Sequence, residues 1–495
     1  MAAEEWLGAR PAELNAAFTE LATRIGGRAP EHDFDPSLER VRKVLDYLGD
    51  PQKAYRIIHI TGTNGKTSTA RMCESLVRAA GLRTGLFTSP HLSSMTERIV
   101  IDGEPISAEQ FLAAYDDVSP YIEIVDAESV ANGEPRLSFF EVLTVLAYAA
   151  FADAPVDVAI IEVGIGGKWD ATNVADGDVA VFTPIGLDHQ KWLGDSITEI
   201  AAEKSGIIKP GATVVRSVQP PDAAAQIDET AAEKRDRILR EDQELFVVDR
   251  QMGVGGQLLT LQTPAATYAD IFLPLHGKHQ AHNAVLALAA VEALLGGKNA
   301  LNPELVGEGF ASVKSPGRLE IVKDSPTILV DVAHNPHGAH ALCEALGESF
   351  NFSNLIGVVG IMADKDIEGF LAELEPQLDA IVLTKNNSPR CADPADIAPI
   401  AKDIFGEDRV HIQPKMPDAI AEAVDLAEAG DASGMGTGVG VLVTGSVVTV
   451  GEARALLSTA PQGAAQPGRL AYRSMLSGDD DGGGGDDGDF QDLET

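Results

Sequence analysis

The segment of residues 60–68, Ile-Thr-Gly-Thr-Asn-Gly-Lys-Thr-Ser, lies between a β-like run at 55–59 and a helix-like run at 69–77. Strand, glycine-rich loop and helix start in this order form a phosphate cradle, because glycine lets backbone N–H groups approach an anion and the helix N-terminus adds positive potential. Lys66 can reach the outer phosphates, and the hydroxyl of Thr67 can bind Mg²⁺. The segment therefore predicts a P-loop-type nucleotide-binding domain, although Ile60 replaces the glycine of the common pattern.

Other apolar runs are typical of parallel strands. Residues 156–163 and 179–183 are continuous apolar runs, and 139–152 have helical periodicity. Strands that alternate with helices predict a parallel sheet covered on both faces, with ligands beyond the carboxyl ends of the strands. Four polar features follow strand-like runs in this way: the phosphate loop, Glu162, Asp188 and His189.

The charge of the chain limits its partners. Its 75 acidic and 38 basic side chains give a formal net charge of −37, which argues against general affinity for nucleic acid or an anionic membrane. The sequence has no apolar run of about 18 residues, as a membrane span would need, and no basic-then-apolar leader. We expect a cytoplasmic monomer with no nucleic-acid or membrane partner, and any anionic substrate needs a local basic pocket.

The pattern predicts two α/β domains. Residues 1–314 form an N-terminal parallel-sheet ATPase domain, in which the charged stretch 216–270 is a peripheral β-rich insertion. The strand–helix pattern restarts after that, and 315–475 form a smaller C-terminal Rossmann-like α/β domain. The glycine-rich acidic residues 476–495 are predicted to be a disordered tail.

Several polar residues are of types that bind phosphate or metal. A carboxylate at the end of an apolar strand is unfavourable unless it meets a cation or water, so Glu162 is a candidate Mg²⁺ ligand. His189, beside Asp188, is a candidate for a metal or acid–base role. Arg318 follows a Pro-Gly turn at the domain junction and suits a phosphate.

Two further segments differ in how clearly they indicate function. Residues 331–337, Asp-Val-Ala-His-Asn-Pro-His, close a strand-like run with a density of polar groups that is hard to explain structurally. Lys204 lies in a helix-like segment, where the residues alone favour an exposed lysine.

Taken together, the motifs resemble the folylpolyglutamate synthase family of the Mur ligase superfamily, whose members often also act as dihydrofolate synthases. The resemblance covers about residues 35–455 and rests on nine ordered segments: 61–66, 88–92, 139–141, 162–167, 170–173, 187–189, 203–204, 316–318 and 331–336.

The resemblance implies ATP-dependent amide formation. A folate or pteroate carboxylate attacks the γ-phosphate of ATP to give an acyl phosphate, and the amine of L-glutamate then displaces phosphate. The implied substrates are ATP, L-glutamate, reduced folates and dihydropteroate. The implied cofactors are Mg²⁺ at two sites, a carbamylated Lys204 and a monovalent cation.

The same resemblance implies a role for each matching residue. The implied catalytic residues are Lys66, His189, Lys204 and His334. The implied ATP site comprises Gly62, Thr63, Asn64, Gly65, Lys66, Thr67, Ser68, Asn283, Arg318 and Asp331. The implied pterin or folate site comprises Ser138, Phe140, Asp170 and Ala171. The implied metal ligands are Thr67, Ser89, Glu162 and His189.

Two departures from the family pattern leave alternatives open. Many members have glycine where this chain has Thr67, so both Thr67 and Ser89 are candidates for the first Mg²⁺ hydroxyl ligand. The pair at 168–169 is Lys-Trp where Arg-Leu is common, so the acceptor is either both dihydropteroate and folate or folate alone.

Two other functions compete with this interpretation. Within the superfamily the alternative is a muramyl-type cell-wall amino acid ligase, against which residues 139–141 and 170–173 argue. Outside it the alternative is a P-loop NTPase that is not a ligase. Such a protein would not need Arg318, Asp331 and His334 in a second domain.

Overall fold

The computed structural model describes residues 11–30, 37–296, 299–430 and 438–457. The predicted acidic tail, 476–495, lies outside the described residues. Within the described ranges, no helix is both long and apolar enough to cross a membrane.

The N-terminal domain is built on one eight-stranded sheet in the order β4-β3-β2-β5-β1-β6-β7-β8. In this spatial order, each neighbouring pair from β2 across to β8 is parallel. At the other edge, β3 pairs antiparallel with both β2 and β4. The strands are β1 (Arg56–Thr61), β2 (Thr84–Phe87), β3 (Ile99–Ile101), β4 (Glu104–Pro105), β5 (Val158–Glu162), β6 (Val179–Phe182), β7 (Thr213–Arg216) and β8 (Arg237–Arg240).

Helices cover both faces of this sheet. They are Pro11–Gly26, Glu39–Tyr47, Lys66–Ala79, Ala108–Ala131, Phe139–Asp153, Gln190–Leu193, Ile197–Lys204, Pro221–Lys234, Lys278–Val291 and Pro303–Ala311. Side chains of β1 alternate between the faces: Ile57 packs in the cluster that contains Phe151, and Ile58 and Ile60 pack in the cluster that contains Val285. Burial on both faces explains why the central strands read as continuous apolar runs.

The stretch 216–270, predicted as a peripheral β-rich insertion, divides into two parts. Its first part contributes the helix Pro221–Lys234 and β8, which extends the main sheet in parallel with β7. Only its second part forms a separate antiparallel sheet, with β9 (Phe246–Gly253) and β11 (Thr267–Leu273) on either side of β10 (Gly256–Gln262).

The C-terminal domain has a six-stranded sheet in the order β12-β13-β17-β14-β15-β16, in which only β12 is antiparallel to its neighbour. Its strands are β12 (Glu320–Asp324), β13 (Thr327–Val330), β14 (Asn354–Val359), β15 (Ala380–Lys385), β16 (Val410–Lys415) and β17 (Val439–Thr444). Its helices are Pro336–Ser349, Ile367–Leu374, Pro394–Phe405, Met416–Ala429 and Val447–Leu457. The predicted fold class, a parallel-sheet N-terminal domain with a separate C-terminal α/β domain, is confirmed.

Candidate active site

The phosphate loop follows β1 and leads into the helix that starts at Lys66. Gly62 and Gly65 have φ angles of +148° and +89°. A Cβ at Gly62 would lie 1.9 Å from Thr183 Oγ1, and one at Gly65 would lie 2.7 Å from Asn283 Oδ1. Backbone angle and space therefore both require glycine here. Thr63 N and Asn64 N donate to Pro184 O at 2.9 and 3.4 Å, so the anion-binding potential of the loop lies at the start of the helix that follows.

Lys66 lies above this loop. Its Nζ donates hydrogen bonds to Gly62 O at 3.2 Å and Thr63 O at 3.0 Å. Burial lowers the pKa of Lys66, an effect that the charge of Glu162 opposes. Since carbonyl groups are its hydrogen-bond partners here, its positive charge is available to a phosphate.

Glu162, the last residue of β5, is 1% exposed. Its Oε1 accepts from Thr67 Oγ1 at 2.9 Å and its Oε2 accepts from Ser89 N at 3.3 Å. Burial raises the pKa of Glu162, while the charge of Lys66 lowers it. A buried carboxylate with a hydroxyl beside it suits Mg²⁺, which needs few protein oxygens and keeps water and phosphate ligands. In the described residues no three His, Cys, Asp or Glu side chains are grouped as a metal cluster.

Lys204 is not the exposed lysine that its helical segment alone favours: it is 4% exposed. Its Nζ donates a 2.9 Å hydrogen bond to Gly62 O, so it shares a phosphate-loop acceptor with Lys66. Burial, with the charge of Lys66 in addition, lowers the pKa of Lys204 to about 7. The amine is therefore partly neutral at neutral pH, and a neutral amine is nucleophilic.

Asp188 connects the two domains. Its Oδ1 lies 2.6 Å from Lys365 Nζ, and its Oδ2 accepts from Asn335 Nδ2 at 3.2 Å. His334 Nε2 lies 3.7 Å from Oδ2. Burial alone would raise the pKa of Asp188, but contact with His334 and the charge of Lys365 outweigh it, so that pKa lies far below its usual range.

His189 follows Asp188 and has a left-handed backbone, with φ of +51°. Its Nε2 lies 4.0 Å from Asp188 Oδ1. Partial enclosure in the cleft lowers the pKa of His189, and Asp188 opposes this shift. With 37% of its side chain exposed, solvent moderates the effect. The neutral imidazole is the form that binds metals.

Asn335 joins this cluster to the phosphate loop. Its side-chain amide exchanges hydrogen bonds of 3.2 and 3.3 Å with that of Asn64. Its Oδ1 also accepts from Gly338 N and so caps the helix Pro336–Ser349. The loop of one domain and the helix start of the other are thereby held together.

Asp331 shapes the turn that carries Arg318. Its Oδ2 accepts from Leu319 N and its Oδ1 from Ala333 N, each at 2.8 Å. Burial raises the pKa of Asp331, and Arg318 lowers it. The carboxylate thus fixes the backbone directly after Arg318 and the backbone two residues after Asp331 itself.

A cavity of about 320 Å³ opens between the domains. Seven residues predicted for ATP binding or catalysis line it: Asn64, Gly65, Ser68, Asn283, Arg318, Asp331 and His334. Four cavity residues that the sequence did not single out come from one helix start: Lys278, His279, Gln280 and His282. Their polar side chains differ from the Ala, Val and Leu of the core positions that follow in that helix, which is a signal that could have marked them.

The four residues predicted for a pterin or folate lie at the start of two helical segments. Ser138 caps Phe139–Asp153 in a capping box with Glu141, which pairs with Arg40 at 3.0 Å. Asp170 caps the short helix that begins with Ala171. Phe140 and Asp170 meet at Gly164, whose Cβ would lie 2.7 Å from Phe140 Cζ and 3.1 Å from Asp170 Oδ2.

Comparison with known proteins matches both domains. Residues 60–291 match the Mur ligase middle domain, and residues 317–446 match the Mur ligase, glutamate ligase domain. A dihydrofolate synthase/folylpolyglutamate synthase of Mycobacterium tuberculosis is 47% identical over 466 residues, which cover 90% of this chain and 95% of that protein. A Bacillus subtilis protein of the same name is 32% identical and covers 88% and 98%.

Solved structures agree with these relatives. Mycobacterium tuberculosis folylpolyglutamate synthase complexed with ADP superimposes with a TM-score of 0.86 at 48% identity, covering 90% of this chain and 99% of that chain. An FPGS–AMPPCP–folate complex gives a TM-score of 0.76 at 32% identity, covering 88% and 98%.

A phosphate loop that faces a second α/β domain across a cleft, in a chain whose two domains match those of the Mur ligases, defines an ATP-dependent ligase of the Mur type. The chain belongs to the dihydrofolate synthase/folylpolyglutamate synthase family of these ligases.

Proposed function

We propose that this chain adds L-glutamate to reduced folates and to dihydropteroate, with ATP as the energy source and an acyl phosphate as the intermediate. The observation that carries the proposal is the cavity between the domains, which the phosphate loop lines on one side and residues 331–334 line on the other. A nucleotide in it contacts both domains, as a ligase requires in order to align three substrates. The names of the relatives support the same substrates.

ATP lies across this cleft. The Gly62–Gly65 backbone and the amine of Lys66 hold its phosphates, with Thr63 N and Asn64 N exchanging Pro184 O for phosphate oxygens, and Thr67 and Ser68 extend that contact into the first helical turn. Asn283, which lies beside Gly65, and Arg318 and Asp331 also line the cavity and contact the nucleotide. The positive charge of Arg318 suits an anionic ligand in a chain that is acidic as a whole.

Mg²⁺ fits the carboxylate of Glu162, with a hydroxyl of Thr67 or Ser89 as its second protein ligand. The Thr67 hydroxyl lies 2.9 Å from Glu162, whereas Ser89 contacts Glu162 through its backbone N–H. His189 is the candidate ligand of a second ion. When bound, the ions neutralise the charge of the phosphates. A monovalent cation is also proposed as a cofactor.

Lys204 is proposed to carry a carbamate. A neutral amine combines with carbon dioxide, and burial makes that form accessible near neutral pH. A carbamate nitrogen keeps one proton, so the hydrogen bond to Gly62 O can persist. The new carboxylate would orient the second metal ion or the incoming amino acid.

The acceptor's pteridine is proposed to bind at Ser138, Phe140, Asp170 and Ala171. Its carboxylate attacks the γ-phosphate, and ADP leaves. The amine of L-glutamate then attacks the acyl carbon, phosphate leaves and the nitrogen gives up a proton. Lys66 stabilises the negative charge that develops on the phosphate oxygens. His334, which lines the cavity, orients the phosphates there. The protein acts as a cytoplasmic monomer.

The proposal is tested by ATP-dependent incorporation of labelled L-glutamate, with dihydropteroate and a reduced folate supplied separately. We expect incorporation with both acceptors. Incorporation with the reduced folate alone would show that dihydropteroate is not an acceptor. That loss would then be assigned to the Lys-Trp pair at residues 168–169. No incorporation with either, but incorporation with a muramyl acceptor, would overturn the proposal.

A further inference from the structure

Asp170 lies in a turn where its two carboxylate oxygens have different surroundings. Its Oδ1 accepts two hydrogen bonds from Thr172, one from the backbone N at 3.0 Å and one from Oγ1 at 2.5 Å. Its Oδ2 accepts one, from Ile165 N at 2.9 Å. Since a carboxylate oxygen has two lone pairs, Oδ1 is fully used and Oδ2 keeps one free.

The Thr172 hydroxyl continues the chain of hydrogen bonds into the core. Its single proton goes to Asp170, so its oxygen accepts from the imidazole of His59, whose Nε2 lies 2.9 Å away. His59 is fully buried in β1, and its Nδ1 has no hydrogen-bond partner among the described residues. Burial lowers the pKa of His59 to about 3, so the ring is neutral and the hydrogen-bond pattern places its proton on Nε2.

The free lone pair of Asp170 lies beside Phe140. The two groups meet at Gly164, where a Cβ would be 3.1 Å from Oδ2 and 2.7 Å from the ring. Any side chain at residue 164 would separate the carboxylate from the ring. A polar acceptor and an aromatic edge on one side of a glycine suit a flat heterocycle with N–H donors.

We infer that Thr172 and His59 are positioning residues for the acceptor: they hold the Asp170 carboxylate so that Oδ2 accepts a hydrogen bond from the pteridine. His59 orients the Thr172 hydroxyl, and that hydroxyl occupies the second lone pair of Oδ1. This inference rests on the proposed function. It adds two residues that do not touch the substrate.

Thr172→Val tests the inference, because valine keeps the shape of threonine and removes the hydroxyl. We expect the KM for the pteridine acceptor to rise about tenfold or more, the range for a lost hydrogen bond to a charged group. The kcat value and the KM for ATP should stay within twofold of wild type. Thr172→Ser should restore the acceptor KM, because serine supplies the same hydroxyl.

A second pair of variants changes His59, at the other end of this series of hydrogen bonds. His59→Leu should raise the acceptor KM in the same way, and His59→Gln should raise it less because its amide N–H can replace that of the ring. Thr384→Val is the matched control: Thr384 is a buried threonine of the other domain whose Oγ1 has no hydrogen-bond partner among the described residues.

An unchanged acceptor KM in Thr172→Val would overturn the inference. An equal rise in the KM for ATP, or an equal effect of Thr172→Ser, would overturn it as well. If only the variants without the hydroxyl or the N–H failed to fold, the contacts would be structural and the inference would again be wrong. Failure of the proposed function is distinguishable, because the wild-type chain would then incorporate no glutamate into either acceptor.

Discussion

Lys365 of the C-terminal domain and Asp188 of the N-terminal domain form an ion pair of 2.6 Å in which each side chain is 10% exposed. The residues are 177 positions apart in the sequence. The same carboxylate also accepts from Asn335, which contacts the phosphate loop through Asn64. One buried carboxylate therefore joins the two halves of the cleft.

Lys365→Met should weaken domain closure while each domain stays folded. Breaking one side of a buried ion pair costs about 3–5 kcal/mol, and here Asp188 would lose its lysine while it keeps its contacts with Asn335 and His334. We expect kcat to fall at least tenfold and small-angle scattering with bound nucleotide to give a larger radius of gyration. Lys385→Met, which removes a largely exposed partner of Asp393, is the control. Wild-type kcat and scattering in Lys365→Met would contradict this role.

Lys66→Ala should abolish glutamate incorporation. The variant loses the cation that neutralises the phosphates, a contribution of about 3–4 kcal/mol or more where a single preorganised donor is removed from an active site. ADP formation under saturating ATP, acceptor and L-glutamate is the measurement. Lys402→Ala removes a surface lysine paired with Glu407 and should leave the rate unchanged. Activity of Lys66→Ala near that of wild type would show that Lys66 does not bind the phosphates.

Lys204 predicts a dependence of activity on pH and carbon dioxide. Below a pKa of about 7 the amine takes up a proton and cannot form a carbamate, so kcat should fall as pH drops from 8 to 6. Added bicarbonate should raise the activity of protein freed of carbon dioxide, and ¹³C-labelled bicarbonate should give an NMR signal that Lys204→Ala lacks. A fully active Lys204→Ala would contradict the carbamate.

The two hydroxyl candidates for the first Mg²⁺ can be separated by titration with Mg²⁺. Glu162→Gln should raise the Mg²⁺ concentration needed for half-maximal activity at least tenfold, because an amide is a weaker ligand than a carboxylate. Thr67→Val and Ser89→Ala are then compared. Because Thr67 supplies the hydroxyl that bonds to Glu162, Thr67→Val should show the larger shift. A larger shift in Ser89→Ala would instead assign the ligand to Ser89.

The fold class could be predicted because its signals are local. The central strands are buried on both faces and read as apolar runs, and the phosphate loop combines glycine, lysine and hydroxyl in one short segment. The edge strand β8, Arg-Ile-Leu-Arg, has no such run, so its stretch read as an insertion. An edge strand buries less of its surface and needs fewer apolar residues.

The features of the site that the residues alone did not reveal depend on distant packing. The eight-residue helix Ile197–Lys204 is too short for its periodicity to show which face is buried, so the burial of Lys204 was not visible in the residues themselves. The Lys365–Asp188 pair depends on how two domains meet. A Lys between two Asp residues gives no local sign of a partner in another domain.

The central claim, a ligase that couples ATP cleavage to amide formation, is tested most directly by ADP release with acceptor and L-glutamate added singly and together. We predict that ADP release is near background until both are present, and that one ADP then forms for each glutamate incorporated. Equal ADP release without the acceptor and the amino acid would contradict the account and indicate an NTPase.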